Sequence, residues 1–575
     1  MKSIILFLIC FPFIVTAQNS VIGKISPKLN QIIESSDPDV KVKVWVDLVD
    51  KGNNSWMLNN PESFLSKRSI ERRAKRGVTI NETDLPLWTG YISEIENAGF
   101  RIISKSKWFN SVTLETNSAG LNKLAQMPFV KKLDLVAKAK NRNKFINSDN
   151  SGIVLSSGSF NSTTSLDYGS SLAQLLPQQI PAVHDLGFNG EGVFICLMDA
   201  GFNNLAHEVY DSLDLVATWD FVNNDPDVGD GGMGTGSHGT ATLSVIAGYK
   251  PGSLIGTAYK SSYLLAKTEN TDTETPSEED YWIAAAEWAD SIGVDVTSTS
   301  LVYLEFDPPF PGYTWQDMNG NTARMTIGAD LAVAKGISVF NSAGNNGLDQ
   351  SHNTLAAPAD GDSVISIGSI TAEGIRSGFS SVGPTVDGRI KPDVMAVGSA
   401  VYAAAPGGRT NYTLTSGTSL ACPIAAGIAA LLLQKNDTLS PMQIREILRN
   451  TASQSTSPDR LMGWGIMNAL SAINGVPSSI EDPRTGTPAE FLLISNYPNP
   501  FNPSTTINFS LPTEKFLTVN LFSTTGSLVK EVTKGTFPSG DSKIMLDGSG
   551  LSSGIYILVV DSGDKIYSHK LSLLK

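Results

Sequence analysis

Cysteine is almost absent from this chain: three in 575 residues, at positions 10, 196 and 422. Cys10 lies in an apolar N-terminal leader, and the other two sit in apolar segments where a buried free thiol is common. A disulfide framework is thereby excluded as the source of stability, and packed cores must supply it. Histidine is nearly as scarce, with five in all and none before His184. No His-Glu-x-x-His occurs, which removes the helical zinc-site pattern of metalloproteases. Beyond the leader, no apolar run approaches the roughly 20 residues that a bilayer span needs. There is no long internal repeat.

What is present is an ordinary globular composition, 41% hydrophobic and 17% charged, long enough for about three or four domains. The net charge of −13 is unevenly spread. Residues 18–150 hold 21 basic and 14 acidic side chains, whereas 151–575 hold 21 and 42. A basic front joined to an acidic remainder predicts mutual attraction, and the acidic surface argues against nucleic acid as a partner. Lys2, the apolar run 4–15 and the small-residue site Val15-Thr16-Ala17 read as a secretory signal over 1–17, so the protein is expected to be exported.

Residues 18–150 read as a small α+β unit ending in a linker. Strands are expected at 42–48, 100–103, 111–116 and 130–136, with helical faces at 93–98 and 121–127. Between them runs a basic helix, 67–76. Residue by residue it reads as a solvated face, while as a whole it offers a dock for an acidic partner or for polyanions. The Asn/Ser/Gly-rich stretch 141–164 is linker-like and a place to be cut. Over 165–475 strands alternate with helices. The run Val193-Phe194-Ile195-Cys196-Leu197-Met198 is continuous apolar chain, as a parallel strand buried on both faces requires. This is an α/β, mostly parallel three-layer pattern, in which ligands sit beyond the carboxyl ends of strands. A proline-bearing linker, 476–490, precedes a tail of short strands over 491–575, a β-sandwich with turns expected at Thr525-Gly526, Gly535, Gly548 and Gly554.

Chemistry gathers at four points. Ser419 lies among small residues, Thr415-Ser416-Gly417-Thr418-Ser419-Leu420-Ala421-Cys422-Pro423, just before an apolar helical run. Alone this reads as a helix cap. His238 is the one histidine flanked by small residues, Gly236-Ser237-His238-Gly239-Thr240-Ala241, where substrate backbone can approach the ring. Asp199 ends a buried strand, and Asn345 lies in Gly344-Asn345-Asn346-Gly347 after another. Acyl transfer by serine needs a base, an acid to orient the base, and donors for the oxyanion.

With these residues in the order Asp…His…Ser, the chain resembles the subtilisin-like serine proteases, the subtilases. The resemblance covers about 168–475 and includes Ala357-Pro358-Ala359, Phe379-Ser380-Ser381-Val382-Gly383-Pro384 and Lys391-Pro392-Asp393-Val394. It implies Ser419 as nucleophile, His238 as general base, Asp199 as its orienter and Asn345 as oxyanion donor. It also implies a substrate-pairing strand at Ser300, Leu301 and Val302, and a pocket wall at Ser342, Ala343 and Gly344. Two positions depart from the family pattern: Ala200 stands where relatives carry Ser or Thr, and Val302 where they carry Gly. The second puts substrate preference in doubt.

The resemblance raises structural Ca²⁺ through the acidic loops Asp220, Asp225, Asp227, Asp230 and Glu274, Glu278, Glu279, Asp280. A solvated loop is the preferred reading, no metal ligand is assigned, and no cofactor is required. The front unit resembles the inhibitory propeptide of subtilases. The tail, with Asn496-Tyr497-Pro498-Asn499-Pro500-Phe501-Asn502-Pro503 and Ser553-Gly554-Ile555-Tyr556, resembles a type IX secretion sorting domain of Gram-negative bacteria. The expectation is a secreted serine endopeptidase made as a zymogen. Its partners would be protein or peptide substrates, its own propeptide and the secretion machinery, with no nucleic acid and no membrane span. The alternative is a catalytically idle adhesin or binding protein of the same fold. Whether Cys196 and Cys422 face each other beneath the site is left open.

Overall fold

The computed structural model describes residues 23–35, 37–136, 164–230, 237–307, 312–476, 492–497, 501–511, 513–523, 527–563 and 566–573. The signal and both linkers expected from sequence lie largely outside them. The chain divides into two compact units, Met1–Pro477 and Ser478–Lys575.

The N-terminal part of the first unit is a four-stranded antiparallel sheet of β1 (Val42–Leu48), β2 (Ile102–Ser106), β3 (Ser111–Thr116) and β4 (Val130–Leu135), in the order β2-β3-β1-β4. Alternation along β1 sends Val44, Val46 and Leu48 into a core with Ile92, Ile95, Leu121 and Leu124 from two helices. Helix α1 (Lys67–Lys75) follows β1 and is capped by Ser66, which accepts from Ser69 N. Here the structure corrects the sequence reading. Arg72 and Arg73, taken as part of a solvated face, are 4% and 1% exposed.

The reason is the larger α/β body that follows. Its sheet contains β5 (Phe194–Asp199), β6 (Asp214–Asp220), β7 (Ser262–Lys267), β8 (Val296–Thr299), β9 (Ser338–Ser342), β10 (Ile365–Ile370) and β11 (Val394–Val397). The order is β11-β10-β9-β8-β5-β7-β6, and every pair is parallel. Helices cover both faces. Ile195 and Leu197 point into one core with α2 (Ser237–Ala247) and α5 (Thr418–Lys435). Cys196 and Met198 point into the other, with α3 (Ser277–Ile292) and α4 (Arg324–Ala334). Three layers result, as a sheet apolar on both faces demands. The same alternation answers the cysteine question: Cys422 belongs to the first core and Cys196 to the second, and both are free. Helix α5 is apolar and long enough to cross a membrane by composition, and 89% of it is buried within this body.

The N-terminal sheet lies on α3. Asp290 bridges Arg72 Nη2 at 2.7 Å and Arg73 Nη2 at 2.7 Å, and Arg73 also reaches Asp84 at 2.9 Å. Asp295 pairs with Arg68 and, at 2.8 Å, with Arg76. Asp280 accepts from Trp45 Nε1 at 2.9 Å and Thr113 Oγ1 at 2.7 Å. Glu287 accepts from the backbone N–H groups of Lys107 and Trp108 at 2.8 and 3.0 Å. Arg324 stacks between the rings of Trp45 and Phe109, 4.4 and 4.1 Å away. The predicted attraction is thus a desolvated ionic interface.

The second unit is an antiparallel sandwich of a three-stranded sheet (Leu492–Tyr497, Ser504–Leu511, Gly540–Asp547) and a four-stranded one (Leu528–Phe537, Lys515–Ser523, Gly554–Asp561, Ile566–Leu573). They share a core that includes Phe501, Ile507, Phe509, Val519 and Leu558. The turn expected at Gly535 is absent, because the strand runs through it to Phe537.

Candidate active site

Strand β5 is where the sheet changes direction. The chain first builds outward to β7 and β6, then returns to its other side for β8 to β11. A crevice opens outside the carboxyl ends at such a switch point. Asp199 is the last residue of β5, and Ser300 follows the last residue of β8.

Helix α2 brings His238 to this crevice. Its start packs so closely on the aspartate loop that a Cβ on Gly239 would overlap the Gly201 carbonyl. His238 Nδ1 lies 2.7 Å from Asp199 Oδ1. Asp199 is 1% exposed, while the His238 side chain keeps 39% of its surface. Burial disfavours the imidazolium, but the charge and hydrogen bond of Asp199 outweigh it, and the His238 pKa is raised above its ordinary value. Asp199 therefore fixes the tautomer with the proton on Nδ1 and a lone pair on Nε2. Its carboxylate also accepts from Ala200 N at 2.7 Å and from Thr242 Oγ1 at 2.9 Å.

The serine lies deeper in its helix than expected. The run that sequence placed after residue 423 starts at Thr418, so Ser419 is the second residue of α5 and Pro423 is inside it. Proline lacks the N–H that would bond the carbonyl four residues back, which is Ser419 O. Ser300 Oγ takes that acceptor instead, at 2.7 Å. The contact is reciprocal, since Ser419 Oγ donates to Ser300 O at 3.2 Å. Among the described residues no hydrogen bond joins Ser419 to His238, so the hydroxyl rests against Ser300.

Asn345 completes the group. Its Oδ1 accepts from Thr418 N and Thr418 Oγ1 at 2.9 and 3.0 Å, which ties its amide to the helix start. A Cβ built on Gly417 would lie 3.6 Å from Asn345 Nδ2 and 3.6 Å from Ser419 N. Two donors thus border one small space that only glycine leaves open. Leu301 and Ser300 are buried, and Val302 is half-buried. Ser342, Ala343 and Gly344 are buried at and beyond the end of β9, where Gly344 O accepts from Ser381 N at 3.0 Å.

The acidic loops behave differently from one another. Asp220 accepts from Val222 N, Asn223 N and Asn223 Nδ2, and pairs with buried Lys267 at 3.0 Å. Lys267 already supplies a cation there, so Asp220 does not fit a calcium ligand. Glu269, Glu274 and Glu278 each bring a ligand atom within 4.8 Å of the others, a donor set of the kind Ca²⁺ takes. Glu269, five residues before Glu274, escaped the sequence reading because it follows directly on the buried strand β7. Burial raises all three carboxyls; repulsion by neighbours of the group adds to it at Glu269 and Glu278, and repulsion by Asp307 adds to it at Glu274, which is pushed to about 8. Thr242 and Thr418 also went unnoticed, since their roles depend on distances between elements.

Comparison with known proteins follows the same outline. The Subtilase family profile matches residues 190–465. The Peptidase S8 propeptide domain of Bacteroidota matches 43–151, and the Secretion system C-terminal sorting domain matches 495–573. Subtilisin DY of Bacillus licheniformis is 32% identical over 305 residues, 52% of this chain and 99% of its own length. Subtilisin of Bacillus pumilus is 30% identical over 292 residues, 51% of this chain and 94% of its own. A cold adapted subtilisin-like serine proteinase of known crystal structure is 29% identical, covering 49% of this chain and 88% of its own, with a TM-score of 0.37. The sorting-domain match marks a secreted or cell-surface protein. The chain belongs to the subtilase family of serine-type endopeptidases and carries an S8 propeptide before its peptidase domain.

Proposed function

We propose that Ser419 is the nucleophile of this peptidase, His238 its general base and then acid, and Asp199 the orienter of His238. In this reading the Ser419 hydroxyl leaves Ser300 O, passes its proton to His238 Nε2 and attacks the substrate carbonyl. The oxyanion that forms is held between Asn345 Nδ2 and Ser419 N. His238 returns the proton to the leaving amine, and water repeats the sequence on the acyl-enzyme. Ser300, Leu301 and Val302 would pair with substrate backbone, and Ser342, Ala343 and Gly344 would wall the pocket for the residue before the cut.

The observation that carries the reading is the convergence of Asn345 Nδ2 and Ser419 N, each 3.6 Å from one point beside Gly417. No step uses a metal. The domain limits proposed are 1–17 for a signal, 18–150 for propeptide and linker, 165–475 for the peptidase and 491–575 for the sorting domain, with export by a type IX route. A fluorophosphonate probe is expected to label the processed wild type at Ser419. A Ser419→Ala chain is expected to accumulate as precursor. An unlabelled wild type with normal processing of Ser419→Ala would return the molecule to the class of idle, adhesive relatives.

A further inference from the structure

Three donors meet the Asp199 carboxylate, and the third belongs to a residue not yet given a role. Oδ1 faces His238 Nδ1 at 2.7 Å and Ala200 N at 2.7 Å, whereas Oδ2 faces Thr242 Oγ1 at 2.9 Å. Thr242 stands four residues after His238 in α2, so both side chains project from one face of the helix. One helix face therefore presents an imidazole to one oxygen of the carboxylate and a hydroxyl to the other. Residue 200 is alanine and offers no hydroxyl of its own.

A buried threonine in a helix often bonds the carbonyl of its own preceding turn, and here Gly239 O lies 3.1 Å from Oγ1. The hydroxyl has a single proton. An ionised acceptor at 2.9 Å outcompetes a neutral one at 3.1 Å, because charge-assisted bonds are roughly twice as strong. Gly239 O thus serves as the alternative acceptor if the carboxylate is lost.

We propose that Thr242 is a positioning residue of the catalytic group, which stops the Asp199 carboxylate from rotating and keeps Oδ1 on the imidazole. The inference rests on the catalytic reading above. Thr242 touches no substrate, and its effect passes through Asp199 to His238. By drawing on the carboxylate it also tempers the hold of Asp199 on the imidazolium. Removing the hydroxyl leaves the carboxylate's charge to the imidazole, and a His238 that protonates at higher pH. Other ionisable groups felt at Asp199 are Asp230 on the loop before α2, Glu269 after β7 and Cys422 on α5, and they remain the same in every variant.

The test uses the full chain with Thr242→Val, which keeps shape without the hydroxyl, and Thr242→Ser, which keeps the hydroxyl. Ser419→Ala and Asp199→Asn serve as controls. Thr242→Val is expected to lower kcat by about 10- to 100-fold, the worth of a bond to a charged group. KM should stay unchanged and the acid limb of kcat/KM should move to higher pH. Thr242→Ser is expected to recover most of the rate and the original limb. A Thr242→Val enzyme within twofold of wild type in kcat, with its acid limb unmoved, overturns the proposal. So does a Thr242→Ser enzyme as slow as Thr242→Val. If Ser419→Ala and Asp199→Asn also remain active, the catalytic reading itself has failed; if only they are inactive, the positioning role alone is wrong.

Discussion

Replacing Asp290 by asparagine should loosen the propeptide by about two orders of magnitude. Asp290 is fully buried on α3 and faces Arg72 and Arg73, themselves 4% and 1% exposed. Lys107 Nζ adds a third cation 3.6 Å away. Burial works against the Asp290 charge, yet the arginines hold its carboxyl below the ordinary carboxylate range. Removing one partner of a buried pair typically costs about 3–5 kcal/mol, because the other charge stays desolvated. Arg73 would keep Asp84 at 2.9 Å, and Arg72 would keep the Val294 and Lys335 carbonyls, so the low end applies. About 3 kcal/mol corresponds to roughly a 100-fold rise in dissociation constant. Lys75 and Asp437 provide the contrast, as an ion pair about half exposed on both sides, worth under about 1 kcal/mol. Lys75→Ala should therefore shift the constant less than about fivefold. The assay is recovery of peptidase activity on dilution of processed but still associated chains, at low and high salt. The Lys75 effect should fade with salt and the Asp290 effect persist. Equal effects of the two substitutions, or an Asp290→Asn effect under threefold, would refute the argument.

Gly417→Ala places a methyl 3.6 Å from both Asn345 Nδ2 and Ser419 N, and should cut kcat by about 10²- to 10³-fold with little change in Tm. Because the His238 pKa is raised and the base must be neutral, the acid limb of kcat/KM should titrate above pH 6.5, and Asp199→Asn should lower it. His184 is buried, bonded to Tyr168 and the Thr257 carbonyl at 2.7 and 2.9 Å, and burial pushes its pKa down to about 4. Its depressed folded value means that stability is lost as pH falls from 6.5, by about 3 kcal/mol at pH 4. Denaturant titrations of wild type and His184→Gln at the two pH values check the slope. Deleting 491–575 should leave the peptidase made but retained by the cell, as blotting of medium against cells would show.

What could be read from the chain alone was whatever repeats within one element. The apolar run 193–198 announces a strand covered on both sides. The family pattern then placed Asp199, His238, Asn345 and Ser419 in one crevice. Contacts between elements were out of reach. A run such as Lys67–Lys75 is as basic whether water or Asp290 faces it, and only packing separates the two. Strand β6 carries no continuous apolar run to announce it, because it lies at the sheet edge with an exposed first half. The start of α5 was set too late because Pro423 signals a helix boundary, and only the hydroxyl of Ser300 shows how the helix tolerates it.

The burial of Asp280, Glu287, Asp290 and Asp295 beneath the N-terminal sheet makes that sheet a folded counter-ion. When it departs, residues 151–575 are left with 21 basic and 42 acidic side chains and an uncovered row of carboxylates along α3. Small cations from the medium must then do by condensation what Arg72 and Arg73 did by structure. The precursor and its product should consequently differ in colloidal behaviour, the product retained longer on an anion exchanger and more strongly stabilised by added salt.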